Sequence, residues 1–364
     1  MHRIGVQTGR ASYDLVVERG AIGRAAEYLE PIIGKRRAFV VADNGAWAAQ
    51  GERLIAGLAG VDTTVLRFPG GEERKRLSQV ETLADQLYSA GADRSACVIA
   101  FGGGIVGDMA GFLAASYMRG VDVVQIPTTL LAQVDASIGG KTGVNLRQGK
   151  NLFGAFHQPR LVLMDPVALD TLPEREYRAG LYEVIKSGII RSRSLFSLLG
   201  VEREAVLKRD PELLESIIAD CARIKAEVVS ADEREGDLRR ILNYGHTLGH
   251  ALEAETGYRA LLHGEAVAFG MIAAGRLAEI TKLLTSDTRE AIERTILDYG
   301  PIPAFNGVSA ASLEARLGGD KKTIGGKVHF VLAEGIGHVR VVSGIEPQKV
   351  IAAADAALKA VGAA

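Results

Sequence analysis

ACVIAFGGGIVGD, residues 96–108, decides the fold. Its first part, Ala96–Phe101, is an unbroken apolar run of strand length, which suits a strand buried on both faces of a parallel sheet. Gly102, Gly103 and Gly104 turn the chain, and Met109–Met118 reads as the helix that follows. A strand, a glycine turn and a helix start in that order let backbone N–H groups approach a phosphate closely, and the positive end of the helix favours its charge. A pyrophosphate is the guest this suggests. The glycines read GGGxxGD and not GxGxxG, so a tight turn with no ligand is the competing reading.

The same rhythm extends outward from this stretch. Strand signals at Asp14–Val17, Arg37–Ala42, Val61–Phe68 and Val123–Pro127 alternate with helical signals at Ala21–Leu29, Ala46–Ala59 and Leu77–Ala90. After Leu172-Pro173 the strand signals stop and amphipathic helical segments follow one another from Glu174 to Thr285. Val328–Leu332 and His338–Val342 read as a late hairpin, and Pro347–Ala360 as a closing helix. The expectation is an α/β N-terminal Rossmann-like domain over 1–172 and a mostly α-helical C-terminal metal-binding domain over 173–364.

Composition narrows the partners. The chain has 364 residues, 47% apolar and 24% charged, and a net charge of −1, so nothing global attracts nucleic acid or an anionic membrane. An anionic partner must be small and held by local cations. Cys97 and Cys221 are far apart and form no CxxC, which points to a reducing compartment. The first ten residues lack the apolar core of a signal peptide and no stretch is long enough to span a membrane, so the expected location is the cytoplasm.

Three of the seven histidines fall within residues 246–263. His246 and His250 are four apart in a helical pattern and project from one face, while His263 opens the next apolar helix. A catalytic zinc uses about three protein ligands and keeps one position open. Spacing alone favours His246 with His250 as the local pair, a satisfied core or surface histidine being the alternative at each position. In PTTLLAQVDASIGGKTG, Gly139-Gly140-Lys141-Thr142 looks like the end of a P-loop, but no glycine stands where the first one belongs, which rejects a nucleoside triphosphatase. Lys141, Lys150 and Asn151 on short loops suit a phosphate or a carboxylate, surface lysines being the alternative.

These residues also carry a likeness. GGGIVGDMAGFLAASYMRG, PTTLLAQVDASIGGKTGVN, GKNLFGAFHQP, DTLPEREYRAGLYEVIKSG and LNYGHTLGHALEAETGY closely resemble the 3-dehydroquinate synthases, sugar-phosphate cyclases of the shikimate pathway, over about Val40–Leu332. Tyr182, Ser187 and Tyr244 depart from the family pattern without removing a polar group the chemistry needs. The resemblance implies NAD and one divalent metal, usually zinc with cobalt as the other candidate, bound between the two domains. It implies metal ligands Glu183, His246 and His263, replacing the pair that spacing favours. It implies an NAD site of Asp43, Glu72, Lys75, Gly103, Gly104, Ile105, Val106, Gly107, Asp108, Thr128, Thr129, Lys141, Lys150 and Thr171. Asp43 reads equally well as a helix N-cap, and Glu72 and Lys75 as surface charges. Substrate contacts implied are Asp135, Lys141, Asn151, Lys225, Glu235, Arg239, Asn243, His250 and Lys321 or its neighbour Lys322, with Arg119 reaching a substrate phosphate across a homodimer interface. The implied reaction converts 3-deoxy-D-arabino-heptulosonate 7-phosphate to 3-dehydroquinate and phosphate through transient oxidation by NAD, phosphate elimination, re-reduction and aldol closure. A cyclase for another sugar, such as a 2-deoxy-scyllo-inosose synthase, or a metal-dependent polyol dehydrogenase would share much of this set.

Overall fold

A computed structural model describes residues 1–317 and 328–362. The chain divides into two compact units, Met1–Pro173 with Pro211–Glu233, and Glu174–Asp210 with Arg234–Ala364.

The first unit is built on a seven-stranded sheet. In chain order its strands are β1 (His2–Gln7), β2 (Ser12–Val17), β3 (Ala38–Asp43), β4 (Thr63–Phe68), β5 (Cys97–Gly102) and β6 (Asp122–Pro127); a separate antiparallel hairpin of β7 (Lys141–Leu146) and β8 (Gly149–Phe156) precedes the last one, β9 (Leu161–Met164). The spatial order is β1-β2-β9-β6-β5-β3-β4, parallel except for the β1–β2 edge. Every residue of β5 is buried, because alternate side chains serve two cores. Phe39, Val41, Val98 and Ala100 pack with Val80, Leu83, Met109 and Leu113 on one face, whereas Val40, Ala42, Ile99 and Phe101 pack with Ile22, Leu29 and Leu54 on the other. From β3 the chain crosses to β4 on one side and from β5 to β6 on the opposite side. The carboxyl ends of β3 and β5 thus flank a reversal of strand order, the place where open α/β sheets bind ligands. Asp43 ends β3 and Gly102 ends β5.

Three features differ from the sequence expectations. The helix after β5 begins at Gly104, inside the glycine motif and not at Met109, so Gly103 is its N-cap. Lys141, Lys150 and Asn151 lie on the β7–β8 hairpin and not on short loops. That hairpin is packed against the helix Gly104–Ser116, where a Cβ on Gly111 would press on Thr142 and where Phe112 and Phe153 meet edge to face at 5.5 Å. Third, the single cut after residue 172 misses a return of the chain: the helix Pro211–Ala231 packs on β1, β2 and the segments Ala132–Ala136 and Pro166–Thr171. An amphipathic pattern shows that a helix has an apolar face, but not which core the face covers.

The second unit surrounds the helix His263–Ile280, which is buried along nearly its whole length. It packs against Glu174–Arg191, His246–Glu255, Ser286–Asp298, Pro347–Ala360 and β10 (His329–Gly335), which pairs with β11 (His338–Ser343). Glycines set how closely these elements approach. A Cβ on Gly264 would run into the backbone of Ala179, and one on Gly270 into the carbonyl of Gly245 and the amide of Gly249. Gly270→Ala is therefore expected to cost about 2 kcal/mol or more in denaturant unfolding, since packed backbone cannot yield as a side chain can. Gly200→Ala, in a helix with open space around it, is expected to be neutral or to stabilise by up to about 1 kcal/mol; equal losses in the two variants would refute the packing argument.

Candidate active site

Glu183 lies in the helix Glu174–Arg191 among buried Leu181, Val184 and Ile185, and is only 1% exposed. Among the described residues, neither of its carboxylate oxygens accepts a hydrogen bond of regular geometry. Its charge is met by Lys186, 2% exposed and one turn further along the helix, in a close ion pair. Lys186 was not among the candidates from sequence; its signal was the Glu–Lys spacing of three residues inside an apolar run.

Two imidazoles face the same carboxylate. His246 is the first residue of the helix His246–Glu255, entered through Gly245 at φ +80°, a conformation and a crowding against Met271 and Val267 that require glycine there. Its Nδ1 is 3.1 Å from the carbonyl oxygen of Tyr244 and its Nε2 is 3.9 Å from Glu183 Oε1. His263, at the start of its own helix, has Nδ1 3.3 Å from Glu253 Oε2 and Nε2 3.7 Å from Glu183 Oε1. An imidazole that donates its proton from Nδ1 keeps a lone pair on Nε2, so the hydrogen-bond pattern assigns the same tautomer to both rings. The gaps to Oε1 are too long for hydrogen bonds. They are near the separation of about 3.4 Å expected for two ligand atoms on one tetrahedral zinc at about 2.1 Å. The buried carboxylate, whose Oε1 faces the two Nε2 lone pairs, therefore fits a divalent cation.

His250 completes a three-histidine cluster whose donor atoms lie within 4.8 Å of one another, with ring centroids 5.3 Å from His246 and 5.7 Å from His263. Its Nε2 is 4.0 Å from Glu253 Oε2. Just before His246, Asn243 Nδ2 donates to Glu235 Oε1 at 2.6 Å, Glu235 sits at φ +62°, and the Arg239 side chain is almost fully buried. Lys321 and Lys322 lie outside the described residues.

In the first unit, the glycine turn exposes a helix N-terminus. A Cβ on Gly103 would be 3.0 Å from Thr129 and one on Gly104 3.2 Å from Ala136, so any side chain would crowd the first turn of amides. Ile105, Val106, Gly107 and Asp108 belong to that turn and the next. The Thr128 amide donates to Gly102 O at 2.9 Å, and Thr129 Oγ1 accepts from the Ala132 amide at 3.2 Å. Asp43 accepts from the Ala46 amide at 2.9 Å, capping the helix Asn44–Gly57, and also borders Gly70 and Gly102.

The loop charges are less superficial than the sequence suggested. Lys75 is 3% exposed; its Nζ donates to Asp108 Oδ2 and Asn151 Oδ1, both at 2.5 Å. Burial raises the Asp108 carboxyl above the usual range while the Lys75 charge opposes it. Asn145, which no sequence pattern singled out, joins the set: its Nδ2 donates to Glu72 Oε1 at 2.7 Å, its Oδ1 accepts from the Asn151 amide at 2.8 Å, and its own amide donates to Lys75 O at 2.8 Å. Asn151 is held at φ +53°. Asp135 lies in a π-helical stretch, Ala132–Ala136, and Lys225 Nζ donates to both its carbonyl and its Oδ1 at 2.6 Å. Lys141 is exposed and Lys150 half-buried on the hairpin. Thr171 accepts from Gln50 Nε2 at 2.8 Å, and Arg119 is exposed on a left-handed turn, φ +70°.

Comparison with known proteins agrees with both units. The family profiles described as 3-dehydroquinate synthase N-terminal and 3-dehydroquinate synthase C-terminal match residues 65–179 and 180–323. The 3-dehydroquinate synthase of Solibacter usitatus (strain Ellin6076) is 59% identical over 97% of this chain and 98% of its own. Among solved structures, the 2-epi-5-epi-valiolone synthase of Streptomyces hygroscopicus subsp. jinggangensis 5008, with NAD+ and Zn2+ bound, superposes at a TM-score of 0.87 with 30% identity over 96% of this chain and 97% of that one. A 2-deoxy-scyllo-inosose synthase complexed with carbaglucose-6-phosphate, NAD+ and Co2+ gives 0.83 with 26% identity over 98% and 99%. With the two profiles together spanning most of its length, this chain belongs to the 3-dehydroquinate synthase family.

Proposed function

We propose that the chain is a 3-dehydroquinate synthase, a phosphate-eliminating lyase that converts 3-deoxy-D-arabino-heptulosonate 7-phosphate to 3-dehydroquinate and phosphate, acting in the cytoplasm as a homodimer. The observation that carries the reading is the buried Glu183 carboxylate faced by the Nε2 atoms of His246 and His263, in a chain 59% identical to a 3-dehydroquinate synthase. Relatives of the same fold hold NAD+ with Zn2+ or Co2+, and NAD with zinc or cobalt is the set proposed here.

Glu183, His246 and His263 would hold the divalent cation, which supplies a Lewis acid for the alcohol to be oxidised. The amides of the turn at Gly103–Gly107 would hold the pyrophosphate of NAD, which supplies a hydride acceptor that returns what it takes. The remaining work falls to the side chains. Lys225 is anchored on Asp135 by two hydrogen bonds, so its charge is fixed in direction before an anionic substrate arrives. Arg239 offers a buried guanidinium, whose planar fork suits a carboxylate or a phosphate. Lys75 clamps Asn151, which sets the hairpin that also bears Lys141 and Lys150. His250, whose ring lies beside those of His246 and His263, can hold and release a proton. Phosphate leaves after the adjacent C–H has been acidified by oxidation, a step that asks the protein for positioning and charge stabilisation.

Metal-loaded protein given the heptulosonate phosphate and NAD is expected to release phosphate without accumulating NADH. Steady NADH accumulation with no phosphate would mark a polyol dehydrogenase, and phosphate from a different sugar phosphate only would mark another cyclase. His263→Ala is expected to lower turnover by at least about 100-fold while NAD binding, followed by calorimetry, stays as in the wild type. Unchanged turnover would remove His263 from the ligand set.

A further inference from the structure

We propose that Glu253 is the positioning residue that presents His263 Nε2 to the cation. This rests on the metal-dependent reading above and extends it to a residue with no role in that reading. Glu253 is on the helix His246–Glu255, three residues beyond His250, and is 2% exposed. One of its oxygens, Oε2, lies 3.3 Å from His263 Nδ1 and 4.0 Å from His250 Nε2.

The contact with His263 is a hydrogen bond through Nδ1. A neutral imidazole carries a single N–H. Where Nδ1 gives its proton to Glu253, as in His263, the lone pair is left on Nε2, which is 3.7 Å from Glu183 Oε1. His250 Nε2, at 4.0 Å from the same oxygen, is beyond hydrogen-bonding distance. His246 needs no such partner, because its Nδ1 is held at 3.1 Å by the main-chain carbonyl of Tyr244. The cluster thus has one ring oriented by backbone and one by a side chain, and only the second orientation can be removed by substitution. Partners of this kind raise metal affinity by about 10- to 100-fold.

Full-length wild type, Glu253→Ala, Glu253→Gln and Glu253→Met are titrated with Co2+, reading the visible absorption of the bound ion and the affinity by chelator competition, at matched far-UV circular dichroism. Glu253→Ala and Glu253→Met are expected to lose about 10- to 100-fold in Co2+ affinity and to change the absorption spectrum. Glu253→Gln is expected to regain part of the loss, since its carbonyl oxygen can still accept from Nδ1. The methionine variant fills the site without an acceptor and keeps the test open where alanine unfolds the helix. Non-acceptor variants that bind Co2+ as the wild type does, or a glutamine variant no better than they are, overturn the positioning role alone. A wild type that takes up no Co2+ overturns the metal-dependent reading with it.

Discussion

The structure of the helical unit depends on one buried charge. A carboxylate removed from water is costly, and the native state keeps such a group only where positive charge answers it. At Glu183 the answer is partial: Lys186 pairs with it from the same helix, and two imidazole nitrogens stand just beyond hydrogen-bonding distance. That arrangement concentrates negative charge and lone pairs in one desolvated place. The glycines around it follow from the same demand, because His246 and His263 reach Glu183 only if their helices approach at backbone distance, as Gly264 against Ala179 and Gly270 against Gly245 allow.

The sheet unit solves a different problem with similar means. Its glycine turn is crowded by Thr129 and Ala136 and lies at the carboxyl ends of β3 and β5, where the strand order reverses. Around it, polar side chains are locked to each other: Lys75 to Asp108 and Asn151, Asn145 to Glu72 and Asn151, Lys225 to Asp135. A network fixed in advance loses little further freedom when an anionic ligand binds. Burial also explains why Lys75, which reads as a surface charge in GGEERK, is a structural link in the fold.

The legible parts of the sequence were those with short-range signals. Periodicity marked the strands that became β3 to β6, and the closing helix Pro347–Ala360 has the expected bounds. Strand β1 and the hairpin β7–β8 left weaker signals, since a partly exposed strand rich in polar residues or glycine resembles a loop until its partner is known. Lys186, Asn145 and Glu253 were not singled out for a related reason: each is an ordinary polar residue whose role comes from what it touches.

By itself the sequence determined the class of each unit, the glycine turn at the end of β5 and the family, because those depend on periodicity and on residues contiguous in the chain. Only the tertiary structure decided that the helix Pro211–Ala231 rejoins the first unit and that Lys186 and Glu253 stand beside the Glu183, His246 and His263 group. The physical reason is that a ligand nitrogen is selected by its neighbours across packed helices, and those neighbours are as much as 80 residues away in sequence (Glu183 and His263).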